Sequence, residues 1–137
     1  YSGSANTSGQ SNNFIGRDSG YSNTTGCYNV GIGVSALRVN VAGNRNTAVG
    51  HDALYHMAAA GNEDTNNTAV GMYAGRAMTS GRNNSIVGAH AGDAITSGSD
   101  HFSAILSLNT SAERCLITSF ITRSTPFDSC LSVMLNT

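Results

Sequence analysis

A short phrase recurs along the chain at nearly constant spacing. It ends in a glycine, which is preceded directly by isoleucine or valine and four positions earlier by asparagine. Successive phrase glycines are 17, 17, 21 and 17 residues apart. These coil glycines are Gly16, Gly33, Gly50, Gly71 and Gly88. A period this regular indicates a repeat protein in which each unit stacks on the next.

The length of the period selects among repeat architectures. Helical repeats need units of about 33 to 47 residues. A 17-residue unit with a short β-prone run and Gly/Ser/Thr/Asn corners is instead typical of one turn of a β-solenoid. We therefore predict an all-β fold, a parallel β-solenoid (β-roll) of 17-residue coils, stacked at the interstrand spacing of about 4.8 Å.

Each recurrent position predicts a structural role. The asparagines are expected to form a ladder of amides hydrogen-bonded along the axis; they are Asn12, Asn29, Asn46, Asn67 and Asn84. The β-branched residues are expected to fill the core; they are Ile15, Ile32, Val49, Val70 and Val87. The coil glycines are expected at corners that need a positive φ or a close backbone approach.

The repeat divides the chain into two parts. Residues 1–100 are predicted to be the repeat array, interrupted by a four-residue insertion near residues 61–66. Since loops on rigid scaffolds often carry recognition, the insertion is a candidate recognition loop, formed by Asn62, Glu63, Asp64, Thr65 and Asn66. Residues 101–137 are more apolar and are predicted to form a β cap or trimer stalk over the exposed solenoid end. A receptor-binding tip is the alternative for this segment.

A coil this narrow buries few side chains. Several large apolar residues have no evident place inside it, namely Leu37, Leu54, Tyr55, Met57, Met72, Tyr73 and Met78. Burial of this second stripe against other copies would supplement a small core. We therefore predict a side-by-side homotrimer, because three parallel rods close compactly around a cyclic axis.

Composition argues against several classes of partner. The net charge is −1 and the seven basic residues are all arginine, so no broad positive field favours nucleic acid. No apolar run approaches the roughly 18 residues that membrane insertion needs.

The start at Tyr1, without a signal-like segment, predicts a fragment or a processed product. Of the three cysteines, Cys115 and Cys130 could pair, although buried free thiols are favoured.

Signatures of chemistry are weak. The four histidines are scattered without metal-ligand spacing, and we predict no metal, no cofactor, no catalytic residue and no enzymatic activity. Asp18 and Asp52 share one coil position two coils apart, about 10 Å by the coil rise. That separation is too long for a retaining glycosidase pair and near the upper limit for an inverting pair.

The repeated phrases carry a family likeness. N-T-A-V-G-x-x-A-L, N-N-T-A-V-G-x-x-A-G and N-N-S-I-V-G-x-x-A-G resemble repeats of phage tail fibres and of fibre or surface proteins of algal viruses. They are also similar to the N-S-x-A-I-G-type repeats of trimeric autotransporter adhesin heads. The resemblance covers about residues 9–98 and implies a left-handed, parallel β-roll that assembles as a trimer and serves in attachment. The unit here is longer than the adhesin-head repeat, and no C-terminal chaperone-domain sequence is recognisable.

These observations together predict a structural or adhesive fibre segment, located on a virion surface or extracellularly. It would project from that surface and attach multivalently to a glycan or protein receptor on a host. Three alternatives stay open: a glycan-cleaving tailspike depolymerase, an ice-binding solenoid with regularly spaced outward threonines, and a purely structural spacer without a ligand.

Overall fold

The chain forms one parallel β-sheet with a single short strand per repeat. The computed structural model describes residues 1–59, 61–100 and 102–104. Within these ranges six strands follow one another in the order of the sequence. They are β1 (Asn13–Ile15), β2 (Val30–Ile32), β3 (Thr47–Val49), β4 (Thr68–Val70), β5 (Ser85–Val87) and β6 (Phe102–Ala104). Each strand pairs with the strand of the next repeat, so the chain is the parallel β-solenoid that its period predicts.

The coils stack in strict register. Val30 pairs with Thr47 and Thr47 with Thr68, so the register continues unchanged across the 21-residue unit. The segments that follow the strands stack as well: the amide of Leu37 donates to Ala53 O at 3.0 Å, and the amide of Leu54 to Ala74 O at 3.0 Å. Equivalent positions of successive coils therefore form continuous columns along the axis.

The coil glycines lie where neighbouring backbones come closest. Their φ values run from 121° at Gly16 to 135° at Gly71, a region that side chains rarely adopt. A Cβ added to Gly33 would lie 2.6 Å from the carbonyl oxygen of Gly50. Glycine is therefore required at this column both by its backbone conformation and by the close stacking of the coils.

The middle residue of each strand, and not the last, faces the interior. Ala48, Ala69 and Ile86 are fully buried. The residues predicted to fill the core lie on the opposite face, where Ile15 is 55%, Val70 38% and Val87 45% exposed, and Ile32 and Val49 are partly exposed. That prediction is wrong, because successive strand residues point to opposite faces and the ladder asparagine, buried two positions before the middle residue, already fixes the inward face.

The second apolar stripe is largely part of the same core. Leu37, Leu54, Met57 and Met78 are fully buried within the single chain, in one cluster with the alanines of the strands and turns. The prediction that these side chains need other copies to cover them is therefore wrong. Of that stripe, Met72 is exposed and Tyr55 and Tyr73 are partly exposed.

The sheet runs past the predicted end of the array. Strand β6 continues the parallel pairing, with Ser85 opposite Phe102 and Val87 opposite Ala104, whereas the array is predicted to end at residue 100. The predicted cap or stalk, together with Cys115 and Cys130, lies outside the described residues. Cys27 is a free thiol in the part that is described.

Candidate interaction surfaces

The five predicted ladder asparagines lie in one column, in which all but the partly exposed Asn12 are buried. In the first four, Oδ1 accepts a hydrogen bond from the backbone amide of the next asparagine, at 2.9 Å from Asn29 to Asn12, 3.0 Å from Asn46 to Asn29 and 3.1 Å from Asn84 to Asn67. The Nδ2 atoms of Asn46, Asn67 and Asn84 donate to the same oxygens. Since buried polar groups are costly unless hydrogen-bonded, this column is structural and presents nothing to a ligand.

A second, shorter asparagine ladder was not expected from the sequence. Asn23 donates to Oδ1 of Asn6 at 3.0 Å and Asn40 to Oδ1 of Asn23 at 3.1 Å. Asn6, Asn23 and Asn40 each also donate to the carbonyl of the glycine three residues later. The recurring sequence N-x-x-G could therefore have indicated this second ladder. In the next coils Met57 and Met78 occupy this column, which therefore changes from polar to apolar along the rod.

The outer face of the sheet carries one uniform row of aliphatic side chains. We name it the Ile/Val row, and it consists of Ile15, Ile32, Val49, Val70 and Val87. The other outward position of the same strands is mixed, with Asn13, Val30, Thr47, Thr68 and Ser85. Strand propensity would favour β-branched residues equally at both positions, so it does not explain why only one row is uniform. This face holds only two strand threonines, Thr47 and Thr68, rather than the regular array that an ice-binding surface needs.

A second surface alternates tyrosine and arginine. The position five residues after the coil glycines holds Tyr21, Arg38, Tyr55 and Arg76 in successive coils, and Asp93 after them. We name the first four the Tyr–Arg corner. The guanidinium carbon of Arg38 lies 5.3 Å from the ring centroid of Tyr21 and 5.7 Å from that of Tyr55. One Arg38 Nη atom also donates to the Tyr55 hydroxyl at 2.9 Å.

Arg76 continues this stack and joins it to a neighbouring set of aromatic rings. Its guanidinium carbon lies 5.8 Å from the Tyr55 centroid and 5.3 Å from that of Tyr73. Tyr73 lies between two histidines, 5.3 Å from His51 and 5.0 Å from His90 by ring centroids. Cation–π contacts of exposed groups stabilise by about 0.5–1 kcal/mol each, and together they hold the arginines in fixed positions.

The two aspartates considered as a catalytic pair are each engaged by a different cation. Asp18 accepts a hydrogen bond from the amino group of Tyr1 at 2.9 Å, and this bond holds the pKa of Asp18 below its usual value. Asp52 is nearly buried and lies 3.3 Å from Nε of Arg76. No group of three or more His, Cys, Asp or Glu side chains in the described ranges could hold a metal ion.

The predicted recognition loop is shorter than the sequence indicated. Asp64 already forms a parallel bridge with Asn44, and the buried Thr65 donates to Oδ1 of Asn46 at 2.8 Å. Asn66, with a φ of 51°, matches the left-handed residue before the asparagine in other coils. Asn62 and Glu63 are exposed in the insertion proper, whereas Thr65 belongs to the solenoid interior and is not placed to contact a ligand.

Surface ion pairs flank this insertion. Nε of Arg45 lies 3.0 Å from Asp64, and a terminal guanidinium nitrogen of Arg82 lies 2.5 Å from Glu63. The acidic side chains of the loop are thereby matched by arginines of the coils on either side.

Among the described residues no helix is long and apolar enough to cross a membrane.

Comparison with known proteins adds no family to these observations. The chain matches no protein-family model, no curated protein and no solved structure at a significant level. The resemblance to fibre repeats therefore rests on the repeated phrase itself.

Proposed function

We propose that the chain is a rod segment of a surface fibre, which assembles side by side as a homotrimer and presents its corners for multivalent attachment to a host surface. The observation that carries the assembly is the Ile/Val row. Five aliphatic side chains, three of them 38–55% exposed, form a continuous line along the sheet, and exposed apolar lines of this kind commonly mark protein interfaces.

The five repeats allow the residue types at each coil position to be compared within one chain. Other surface positions vary between coils, as does the one directly after each coil glycine, which holds Arg17, Val34, His51, Met72 and Ala89. The Ile/Val row is exposed in the single chain yet remains aliphatic in every coil. A constraint beyond the single chain, namely burial against a partner, accounts for that uniformity.

The partner that fits such a row is a second copy of the chain. A straight line of side chains repeating at the coil rise of about 4.8 Å is matched along its whole length by a surface of the same period. Another solenoid of the same sequence has that period by construction. Parallel copies related by a cyclic axis close the interface without leaving an open apolar edge. The choice of three copies follows from the resemblance to trimeric adhesin heads.

The attachment role is supported by the division between constant and variable positions. The coil glycines, the ladder asparagines and the small residue three positions after each coil glycine recur from coil to coil, whereas the corners differ in charge, size and aromaticity. A rigid rod with varied corners can hold several weak contacts at fixed spacing, so that avidity supplies the net affinity. Display on a virion or cell surface follows from the resemblance to fibre and adhesin repeats.

The native mass of the full chain in solution tests the assembly, by light scattering coupled to size exclusion. We expect three times the chain mass of 14.1 kDa. A stable, soluble monomer at micromolar concentration would contradict the homotrimer and, with it, the explanation given for the Ile/Val row.

A further inference from the structure

We propose that the Tyr–Arg corner binds a linear acidic polysaccharide, one whose carboxylate or sulfate groups are widely spaced, lying along the rod axis. This inference rests on the proposed attachment function and names the class of receptor for it. Its starting point is the alternation of Tyr21, Arg38, Tyr55 and Arg76 in a single column of four successive coils.

Cation–π contacts position the two guanidinium groups, and only some of their N–H donors are engaged in hydrogen bonds. Arg38 lies between two phenol rings and donates one hydrogen bond, to the Tyr55 hydroxyl. Among the described residues no carboxylate lies within ion-pair distance of Arg38; its charge contributes only a minor share to the lowered pKa of Asp18. Arg76 contacts Asp52 through Nε. Since a guanidinium carries five N–H donors in a planar fork, both arginines retain donors for an external anion.

The spacing of the arginines selects the kind of anion. They lie two coils apart in one column, which corresponds to about 10 Å at a rise of about 4.8 Å per coil. Double-stranded DNA carries one charge per about 1.7 Å of axis and is bound through many cations, whereas the whole chain has seven arginines and a net charge of −1. Two guanidinium groups about 10 Å apart therefore suit a polymer of low charge density.

Neutral hydrogen-bonding groups lie between and beside the charges. The ring of Tyr55 lies between the two arginines, and the rings of His51, Tyr73 and His90 pack on one another beside them. Tyrosine and histidine rings present an apolar body with a polar end, which matches sugar units that carry both C–H faces and hydroxyls. Guanidinium groups recognise carboxylate and sulfate groups with charge-assisted, often bidentate, hydrogen bonds.

The test is binding of the full chain to dextrans of one length, immobilised on a biosensor: unmodified, sparsely carboxymethylated and sparsely sulfated. We expect binding to the two charged dextrans and none to the unmodified polymer. Arg38→Gln and Arg76→Gln should each weaken binding by about tenfold, the loss of one charge-assisted contact. Arg82→Gln, which removes an exposed arginine at another position, is the matched control and should bind like the wild type.

Further variants and outcomes keep the test decisive. Thermal unfolding shows whether Arg38→Gln is folded, and Arg38→Lys keeps the charge without the planar fork and should show an intermediate loss. Equal affinity for unmodified dextran, equal loss in Arg82→Gln, or tighter binding to a DNA duplex would overturn the proposal. Native mass measured on the same sample separates the two ideas: a trimer that ignores acidic dextrans contradicts only this site, and a monomer that binds them contradicts only the assembly.

Discussion

The ring of Phe14 occupies the space that a side chain at position 20 would need: a Cβ built on Gly20 would lie 2.5 Å from the ring carbons. In the next coil the large and the small residue change places: Gly31 is at the strand position of Phe14, and the fully buried Leu37 is at the position of Gly20. Ile86 opposite Gly92 repeats the first arrangement. In these three coils one large side chain at either of the two positions fills a similar small volume. In the coil that holds Ala69 and Gly75 both positions are small, and Leu54 and Ile86 of the adjacent coils approach Gly75 instead.

This exchange predicts strong coupling between positions 14 and 20. Gly20→Leu should destabilise the fold by about 1–3 kcal/mol through overpacking, and Phe14→Ala by about 2–4 kcal/mol through the cavity that it leaves. The double variant reproduces the pair found at Ala48 and Leu54 and should recover most of the loss. Urea unfolding of the four proteins gives the coupling free energy, and simple additivity of the two losses would show that the positions do not share one space.

Replacing an asparagine in the middle of the ladder by alanine should lower the free energy of unfolding. Oδ1 of Asn46 accepts from the amide of Asn67 at 3.2 Å and from the Thr65 hydroxyl at 2.8 Å. Asn46→Ala removes the acceptor of the buried Asn67 amide, which costs about 1–3 kcal/mol, whereas the Thr65 hydroxyl can still donate to Asn44 O at 2.9 Å. Asn13→Ala, at an exposed asparagine one residue after the ladder position, is the matched control and should change the free energy of unfolding by less than about 0.5 kcal/mol. Equal effects of the two substitutions would remove the ladder from the account of stability.

The insertion should be dispensable for folding. Deletion of residues 60–63 restores a 17-residue unit and leaves Thr65 and its hydrogen bonds to Asn44 in place. The Asn44 amide, which donates to Glu63 O at 2.8 Å, is expected to donate to the carbonyl of residue 59 instead. The surface ion pair between Arg82 and Glu63 is lost, at a cost of about 0–1 kcal/mol, and a shorter loop offsets part of that cost. We expect a midpoint of thermal unfolding within a few degrees of the wild type. Loss of the folded state on deletion would mean that the insertion is needed to carry the register across these coils.

The Ile/Val row should respond to charge in a way that other exposed aliphatic positions do not. Val87→Asp places a carboxylate in the row, and Val41→Asp places it at an equally exposed valine elsewhere, since the two are 45% and 42% exposed. An unpaired charge buried at an interface costs several kcal/mol, so only Val87→Asp should dissociate the assembly. Sedimentation velocity measures this, with circular dichroism to verify that both variants are folded. Dissociation of both, or of neither, would place the interface elsewhere.

The repeat period and strand positions could be predicted from the sequence, whereas the side chains that fill the interior could not. The period, one strand per unit and the column of coil glycines follow from regular spacing, which needs no knowledge of neighbours. The inward face was assigned by hydrophobicity, and this failed because Ala48 and Ala69, though small, are the residues that fit a narrow interior. The alternation rule, applied from the buried asparagine, would have given the correct face.

Other features depend on what stacking brings together. Leu37 and Leu54 join one core cluster with the alanines of neighbouring coils, and single positions do not reveal which side chains such stacking brings together. The Tyr–Arg corner is visible in the sequence only when position 21 is aligned with position 38 and its successors at the coil period. The end of the insertion was misplaced because Asp64 occupies a position that is glycine in most other coils.

The asparagine ladder also has a direction. Each Oδ1 atom accepts from the coil that follows it in the chain, as Asn12 does from Asn29 and Asn67 from Asn84. A finished coil therefore carries an acceptor aimed at the segment that the ribosome makes next. Growth of the solenoid from its amino-terminal end would proceed on a template that is already in place, so that translation and folding advance in the same direction and each new strand meets its register as it emerges.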